Sequence, residues 1–450
     1  MEDRFVHLPH GLESSAVLLA LIKGFEKAPY LSAFWTCPSH STNNQPPDYR
    51  TLDWILGIGL ADEDADPEPK KQGLDFRFED FEHMLRDRPG FRMGYFGYDL
   101  KAQSLSQPSP LPPATADPDP SFWFRPRILV RCIGSRLEFL SDEQSQGRTL
   151  LKTWLEEPKT GMHTRGKTEL QGCRLRDKLC VQTTEQDYEE QIATIRERIR
   201  DGDFYELNFC IEWAGQVPIQ DPLALWKQLT TKAGGAFSAL IKNQETWVIS
   251  ASPERFLRKD GERLLSQPIK GTAPRSTNPR IDLLEAEALK TNIKENAEHL
   301  MIVDLVRNDL ARCADPCSVQ VDDLMGCYAF PAVHHLVSSV TATTAPDQSL
   351  SGILNACFPM GSMTGAPKEA VCAWIDRLEK TRRGIYSGSA GWFDPEGNFD
   401  LNVIIRSLVY DQRKGWMSLK TGGAITWDSD ARTEWQECQT KAKALLDLEI

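Results

Sequence analysis

Lys270 lies in Ser266-Gln267-Pro268-Ile269-Lys270-Gly271-Thr272-Ala273-Pro274-Arg275, a segment bounded by proline and glycine. The composition predicts a turn after a strand, and such turns usually carry small polar residues. A lysine there is an odd structural choice but a sound chemical one. An amine on a fixed backbone attacks carbon once burial or a neighbouring cation lowers its pKa. From this segment alone, a solvated surface lysine is the better explanation of the residue.

Two glutamate pairs come next. Glu295 and Glu298 are three apart on a predicted helix over 293–312, so both carboxylates share a face beside the apolar run Leu300-Met301-Ile302-Val303. Burial beside that run is costly unless a cation meets them, and the bland alternative is a solvated pair with Lys294. Glu434 and Glu437, followed by Lys441, repeat the device on a predicted C-terminal helix. Together the pairs offer the carboxylates that a magnesium ion takes, with an ordinary charged helix face as the alternative.

Other segments carry weaker signals. Phe358–Lys368 is a glycine- and hydroxyl-bearing loop running into a helix, with Pro367 suited to the first turn and exposed N–H groups suited to an anion. Thr421-Gly422-Gly423-Ala424 is a small-residue turn where a ligand can touch backbone. His334 and His335 open a strand, so only one of them faces a given side. Arg406 reads as a cation inside an apolar strand and calls for an anion partner, with Tyr386 as a further donor. The chain holds no Walker A loop, Rossmann fingerprint, H-E-x-x-H zinc site or G-x-S-x-G or G-x-C-x-G nucleophile elbow.

The elements that must position these residues follow from patterning. Tyr188, Ile192, Ile195 and Ile199 predict an amphipathic helix over 184–200, ended by Gly202 and followed by a strand over 204–213. Further helices are predicted at 15–25, 282–312, 366–380 and 430–447, and strands at 246–250, 254–258, 336–343, 388–393, 400–410 and 416–421. Pro- and acid-rich stretches at 61–72 and 104–120 read as surface loops, and 156–172 divides an N-terminal part (1–170) from a second part (171–450). Strands and helices mix without βαβ regularity, which predicts an α+β fold with large antiparallel sheets.

The chain has 450 residues, 40% hydrophobic and 26% charged, enough for a sizeable core. No apolar run approaches the roughly 20 residues of a membrane span, and the acidic N-terminus lacks a signal-peptide core. Eleven scattered cysteines point to reduced thiols and a cytoplasmic setting. A net charge of −12 argues against nucleic-acid or anionic-membrane partners, so an anionic substrate needs a locally cationic or metal-built pocket.

Taken in order, these segments resemble the chorismate-utilising enzymes over about residues 180–447. The blocks are Gly202-Asp203-Phe204-Tyr205, Ala251-Ser252-Pro253-Glu254-Arg255-Phe256, the Lys270 segment, Ala297-Glu298-His299 through Asp309, His335-Leu336-Val337-Ser338, Gly361–Lys368, Arg406, Gly422-Gly423 and Glu434 to Lys441. Met93-Gly94-Tyr95-Phe96-Gly97-Tyr98-Asp99 is the main match in the N-terminal third. The anthranilate-type members resemble this chain but carry a small residue at position 270. A lysine there marks the branch that aminates chorismate at C4.

The resemblance implies a sandwich of two stacked antiparallel sheets with helices outside, both halves of the chain contributing. It implies that Glu298 and Glu437 hold Mg²⁺, with Glu295 and Glu434 nearby as ligands or water holders, and that the metal binds the ring carboxylate of chorismate. Arg406, Tyr386 and the backbone at Gly422 and Gly423 are implied to bind the enolpyruvyl carboxylate. Thr272 supports the ring substituents, Lys441 belongs to the substrate pocket, and His335 matches the family's active-site histidine. Lys270 attacks C2 and Glu254 assists the departing C4 hydroxyl. Ammonia then adds at C4, supplied from glutamine by a separate amidotransferase subunit, since no amidotransferase elbow is present here. Alternatives within the resemblance are anthranilate- or isochorismate-type chemistry and a non-catalytic binding subunit.

Glu206 stands where glutamine is more often found, and Met360 and Thr421 where glycine is usual. Leu12-Glu13-Ser14-Ser15 resembles the tryptophan-binding segment of relatives, which makes tryptophan a further expected ligand.

Overall fold

A computed structural model of the chain describes residues 5–8, 13–35, 46, 48, 52–59, 76–101, 110–112, 119–140, 149 and 172–450. Most of the two predicted loops, and all but the last residue of 156–172, lie outside the described residues. The described strands form two antiparallel sheets, one of twelve strands and one of nine.

Both sheets draw on both ends of the sequence. In the larger, Tyr30–Trp35 pairs with Phe237–Asn243, and Trp416–Ile425 pairs with Glu206–Gln216. In the smaller, Arg92–Phe96 pairs with Ser389–Phe393. The N-terminal strands therefore have no separate sheet of their own.

Among the described residues, the three largest apolar clusters layer the molecule as expected. One joins the inner faces of the two sheets, through residues such as Phe34, Ile55 and Val409 from the larger and Met93, Tyr95 and Phe122 from the smaller. A second packs helices on the outside of the larger sheet, where Tyr188, Ile192 and Ile195 of the helix Glu185–Asp201 meet Phe209 and Trp213. A third packs Val303, Val306 and Leu310 of the helix Ile293–Ala311 against Phe256, Leu257 and Val340 of the smaller sheet.

The predicted elements shift in ways that matter to the site. The helix expected over 282–312 is two helices, Pro279–Lys290 and Ile293–Ala311, because Asn292 caps the second by accepting from the Glu295 amide. The strand expected over 400–410 is also two. Phe399–Asn402 lies in the smaller sheet and Ser407–Asp411 in the larger, and the chain crosses between sheets over 403–406. Arg406 is thus at a crossing, with φ 50°, rather than inside a strand. Thr246–Ser252 and Arg255–Asp260 make the same change of sheet, crossing at Pro253 and Glu254.

The two crossings run side by side. The Val403 amide donates to the Glu254 carbonyl and the Ala251 amide to the Arg406 carbonyl, each at 3.1 Å. Arg255 locks this seam: its guanidinium is buried and donates through Nε and Nη2 to the two oxygens of Asp400, at 2.8 and 2.9 Å.

Candidate active site

Lys270 is not in a turn. It belongs to the strand Ile269–Pro274, where it pairs with Leu336 of the strand Val333–Thr343. The strand is bulged, with the register slipping between Lys270 and Thr272 and Gly271 at φ 75°. A glycine is needed there for its conformation, and a Cβ would also meet Leu289 at 3.0 Å and the Glu295 carboxylate at 3.3 Å. The bulge turns Lys270 toward the carboxylates while Thr272 pairs with His335.

Around the lysine, Glu206 Oε1 lies 3.6 Å and Glu298 Oε2 3.8 Å from Nζ. Burial pulls the amine down, but Glu206, Glu298, Glu437 and Glu295 outweigh it and hold the pKa above the ordinary lysine value. This reverses the expectation of a lowered pKa, because these four acidic side chains share one cleft with the lysine.

The two glutamate pairs are joined by a lysine that the sequence pattern places only with a solvated pair. Lys294 stands between the helices, 3.7 Å from Glu298 and 3.4 Å from Glu434. Its spacing of four from Glu298 was the available signal. Glu434 is buried and also accepts from Ser429 at 2.8 Å, whereas Glu437 pairs with Lys441 at 2.6 Å. Lys441 donates to the Gly422 carbonyl at 2.8 Å.

The residue types fit a divalent cation. Glu206, Glu295, Glu298, Glu434 and Glu437 face Lys270, Lys294 and Lys441, an excess of two negative charges on hard oxygen donors. Among the described residues no three such side chains converge on one point.

Gly422 and Gly423 lie on Trp416–Ile425. A Cβ at Gly422 would meet the Phe209 carbonyl at 2.4 Å and Cys210 Sγ at 2.6 Å, so glycine permits that strand to lie close to its neighbour. The Cβ direction of Gly423 opens instead toward Glu434, Glu437 and Lys441, at 3.3 to 4.0 Å. Thr421 does not enter the cleft, because its hydroxyl donates to the Cys438 carbonyl. Met360 is likewise buried in the apolar core.

The opposite wall is the sheet seam. Burial pushes the Glu254 carboxyl up to about 7, against the nearby Ser362 hydroxyl and the Lys270 and Arg406 charges. Arg406 lies 3.4 Å from Nε2 of His335, whose Nδ1 is 3.0 Å from the Thr272 hydroxyl and 3.1 Å from the Gly271 carbonyl. His334 points the other way, to Asp282 at 3.0 Å, as strand alternation requires.

Tyr386 is buried in the turn before Ser389–Phe393, beside Cys210, and its hydroxyl is pushed well above the usual tyrosine value by burial. Beneath it lies a scaffold that the sequence did not reveal. Arg383 is fully buried, paired with Glu379 at 2.7 Å, and donates to the Met363 and Asn208 carbonyls. It ties the Gly361–Ala366 loop to Glu206–Gln216. Lys368, at the end of that loop, pairs with buried Asp309 at 2.6 Å. Pro367 flanks the helix Lys368–Leu378 instead of lying in its first turn.

Fold and cleft together set a cation-bearing seam, with Arg406, opposite a carboxylate-rich mouth. A family model described as chorismate binding enzyme matches residues 48–447, and the chain belongs to that family. Among relatives, the chain is 32% identical over 403 residues to a probable aminodeoxychorismate synthase, chloroplastic, of Oryza sativa subsp. japonica, covering 83% of this chain and 45% of that protein. It is 39% identical over 261 residues to aminodeoxychorismate synthase component 1 of Klebsiella aerogenes, covering 58% of this chain and 57% of that one. The chain thus spans about half the length of these curated relatives.

The solved structure of anthranilate synthase component I from Streptococcus pneumoniae TIGR4 superposes with a TM-score of 0.68 at 23% identity. It covers 99% of this chain and 93% of its own, which establishes the shared fold. The menaquinone-specific isochorismate synthase of Escherichia coli gives 0.69 at 16% identity, covering 98% of this chain and 94% of that one.

Proposed function

We propose that this chain aminates chorismate at C4, forming 4-amino-4-deoxychorismate, with Lys270 as the covalent nucleophile. The observation that carries the reading is the Lys270 amine, aimed by the Gly271 bulge into a cleft with Glu298 on one side and the Glu254–Arg406 seam on the other. Relatives named aminodeoxychorismate synthase support it.

In this reading Lys270, an ammonium in the free cleft, first gives a proton to solvent. Its lone pair then bonds to C2, the ring double bond shifts, and the C4 hydroxyl leaves as water with a proton from Glu254. A raised carboxyl pKa suits Glu254 to that task, since hydroxide is a poor leaving group. Ammonia then bonds to C4, the double bond shifts back, and the C2–N bond breaks to return the lysine.

Arg406, with Tyr386 and the backbone of Gly422 and Gly423, holds the enolpyruvyl carboxylate. Thr272 and Lys441 line the substrate, and His335 acts through Arg406. Glu298 and Glu437, with Glu295 and Glu434 beside them, are the residues that would hold Mg²⁺. When bound, the ion supplies positive charge for the ring carboxylate in an acidic cleft.

Ammonia comes from a separate glutamine amidotransferase, and the setting is cytoplasmic. No helix among the described residues is long and apolar enough to cross a membrane. We assign residues 171–450 the chorismate site and residues 1–170 a supporting role in the fold. Tryptophan is a further proposed ligand of the N-terminal part, near Glu13–Ser15; Leu12 lies outside the described residues.

The test is product analysis by mass spectrometry with chorismate, Mg²⁺ and ammonium. Aminodeoxychorismate from the wild type, lost in Lys270→Ala, is the expected result. Anthranilate or isochorismate, undiminished in the variant, would overturn it.

A further inference from the structure

Glu206 is a buried carboxylate that the steps above leave without a task. It is 1% exposed, its Oε2 has no hydrogen-bond partner, and its Oε1 lies 3.6 Å from Lys270, outside direct hydrogen-bond reach. A carboxylate so placed is costly unless a donor or cation arrives to meet it. Its backbone is fixed. Ala366 pairs with it in the sheet, the Tyr205 amide donates to Ala366 at 2.8 Å, and its own carbonyl fills the space a Cβ on Gly365 would need.

Its neighbours are better supplied. Glu298 has Lys270 and Lys294 within 4 Å, Glu434 has Lys294 and Ser429, and Glu437 has Lys441. Lys270 lies within 4 Å of both Glu206 and Glu298, and Oε2 of Glu206 is the oxygen left without a donor. What that buried oxygen calls for is small, cationic and rich in N–H donors, and it sits beside the amine whose bond to the ring is to be exchanged.

We propose, resting on the amination reading above, that Glu206 binds the incoming nitrogen as ammonium. One N–H of NH₄⁺ transfers its proton to Glu206 and the freed lone pair of NH₃ forms the C4–N bond. The ring double bond shifts, the C2–N bond breaks, and its electron pair returns to Lys270. The proton on Glu206 passes through solvent to restore Glu254, which lost one to the departing hydroxide. The C4 substituent is left as an ammonium group, and no other reagent is consumed. The glutamine usual at this position can share a hydrogen bond with ammonia but carries no charge to hold ammonium.

The test uses the purified chain with saturating chorismate and Mg²⁺ and varied ammonium chloride at constant ionic strength. Aminodeoxychorismate formed by the wild type shows that the underlying reading stands; its absence there sinks both ideas. Glu206→Gln, of equal size, is expected to raise KM for ammonium about tenfold or more while KM for chorismate stays within about twofold. Glu206→Asp gives an intermediate KM and covers the case in which glutamine disturbs folding. An unchanged KM for ammonium in both variants, or a fall confined to kcat, overturns the proposal. So does a weakened Mg²⁺ affinity by calorimetry, which would make Glu206 a metal ligand instead.

Discussion

His335 presents Nε2 to the Arg406 guanidinium at 3.4 Å and Nδ1 to the Gly271 carbonyl at 3.1 Å. A carbonyl only accepts, so Nδ1 carries the proton and Nε2 offers its lone pair to the arginine. Burial, reinforced by the Arg406 charge, pushes the imidazole down to about 3 and keeps it neutral. His335 is therefore a brace for Arg406 and not a proton donor. His335→Gln should raise KM for chorismate several-fold with kcat nearly retained, and should leave the pH profile unchanged. Loss of an acid limb from that profile would instead make the imidazole a titrating participant.

The pH dependence should report Glu254. Its pKa is raised to about 7, so the proton needed by the leaving hydroxyl is present below that pH and lost above it. The expected kcat profile declines on the alkaline side from about pH 7. Glu254→Gln should lower kcat by about 10²- to 10⁴-fold and abolish that limb. A limb that persists in the residual activity of the variant assigns it to another group.

Adjacent glycines should behave differently. Gly422→Ala drives a methyl into the Phe209 carbonyl and Cys210, so it should destabilise the fold by about 1–3 kcal/mol, read from chemical denaturation. Gly423→Ala meets only side chains at the mouth of the cleft and should leave stability almost unchanged while raising KM for chorismate. Equal loss of stability in both would mean that the second glycine is also packed.

The seam should depend on Arg255. Arg255→Met strands Asp400, a partner only 10% exposed, and should cost about 3–5 kcal/mol in urea unfolding. The double variant with Asp400→Leu should recover much of that loss, because no unpaired charge is left. A double variant no more stable than the single would place the cost in packing instead.

Divalent metal should stabilise the free chain. Saturating Mg²⁺ is expected to raise the thermal midpoint and EDTA to abolish the rise, since an ion that binds only the folded state shifts unfolding by mass action. In Glu298→Gln with Glu437→Gln the shift should vanish even without chorismate. A shift of full size in that variant would locate the ion elsewhere.

The amino-acid sequence by itself determined most of the elements and which neighbouring side chains share a face. Helical spacing set Glu295 with Glu298 and Glu434 with Glu437 on common faces, and strand alternation sent His334 and His335 in opposite directions. These are local periodicities, dictated by backbone geometry within a few residues. Only the tertiary structure decided that Lys270 sits in a bulged strand, that Arg406 and Glu254 meet where two chain segments change sheets, and that Lys294 bridges the helices. It also decided the charge states: burial lifts Glu254, while assembled glutamates hold Lys270 high against burial. Such facts depend on partners far apart in the chain and on the removal of water around them, neither of which a local pattern contains.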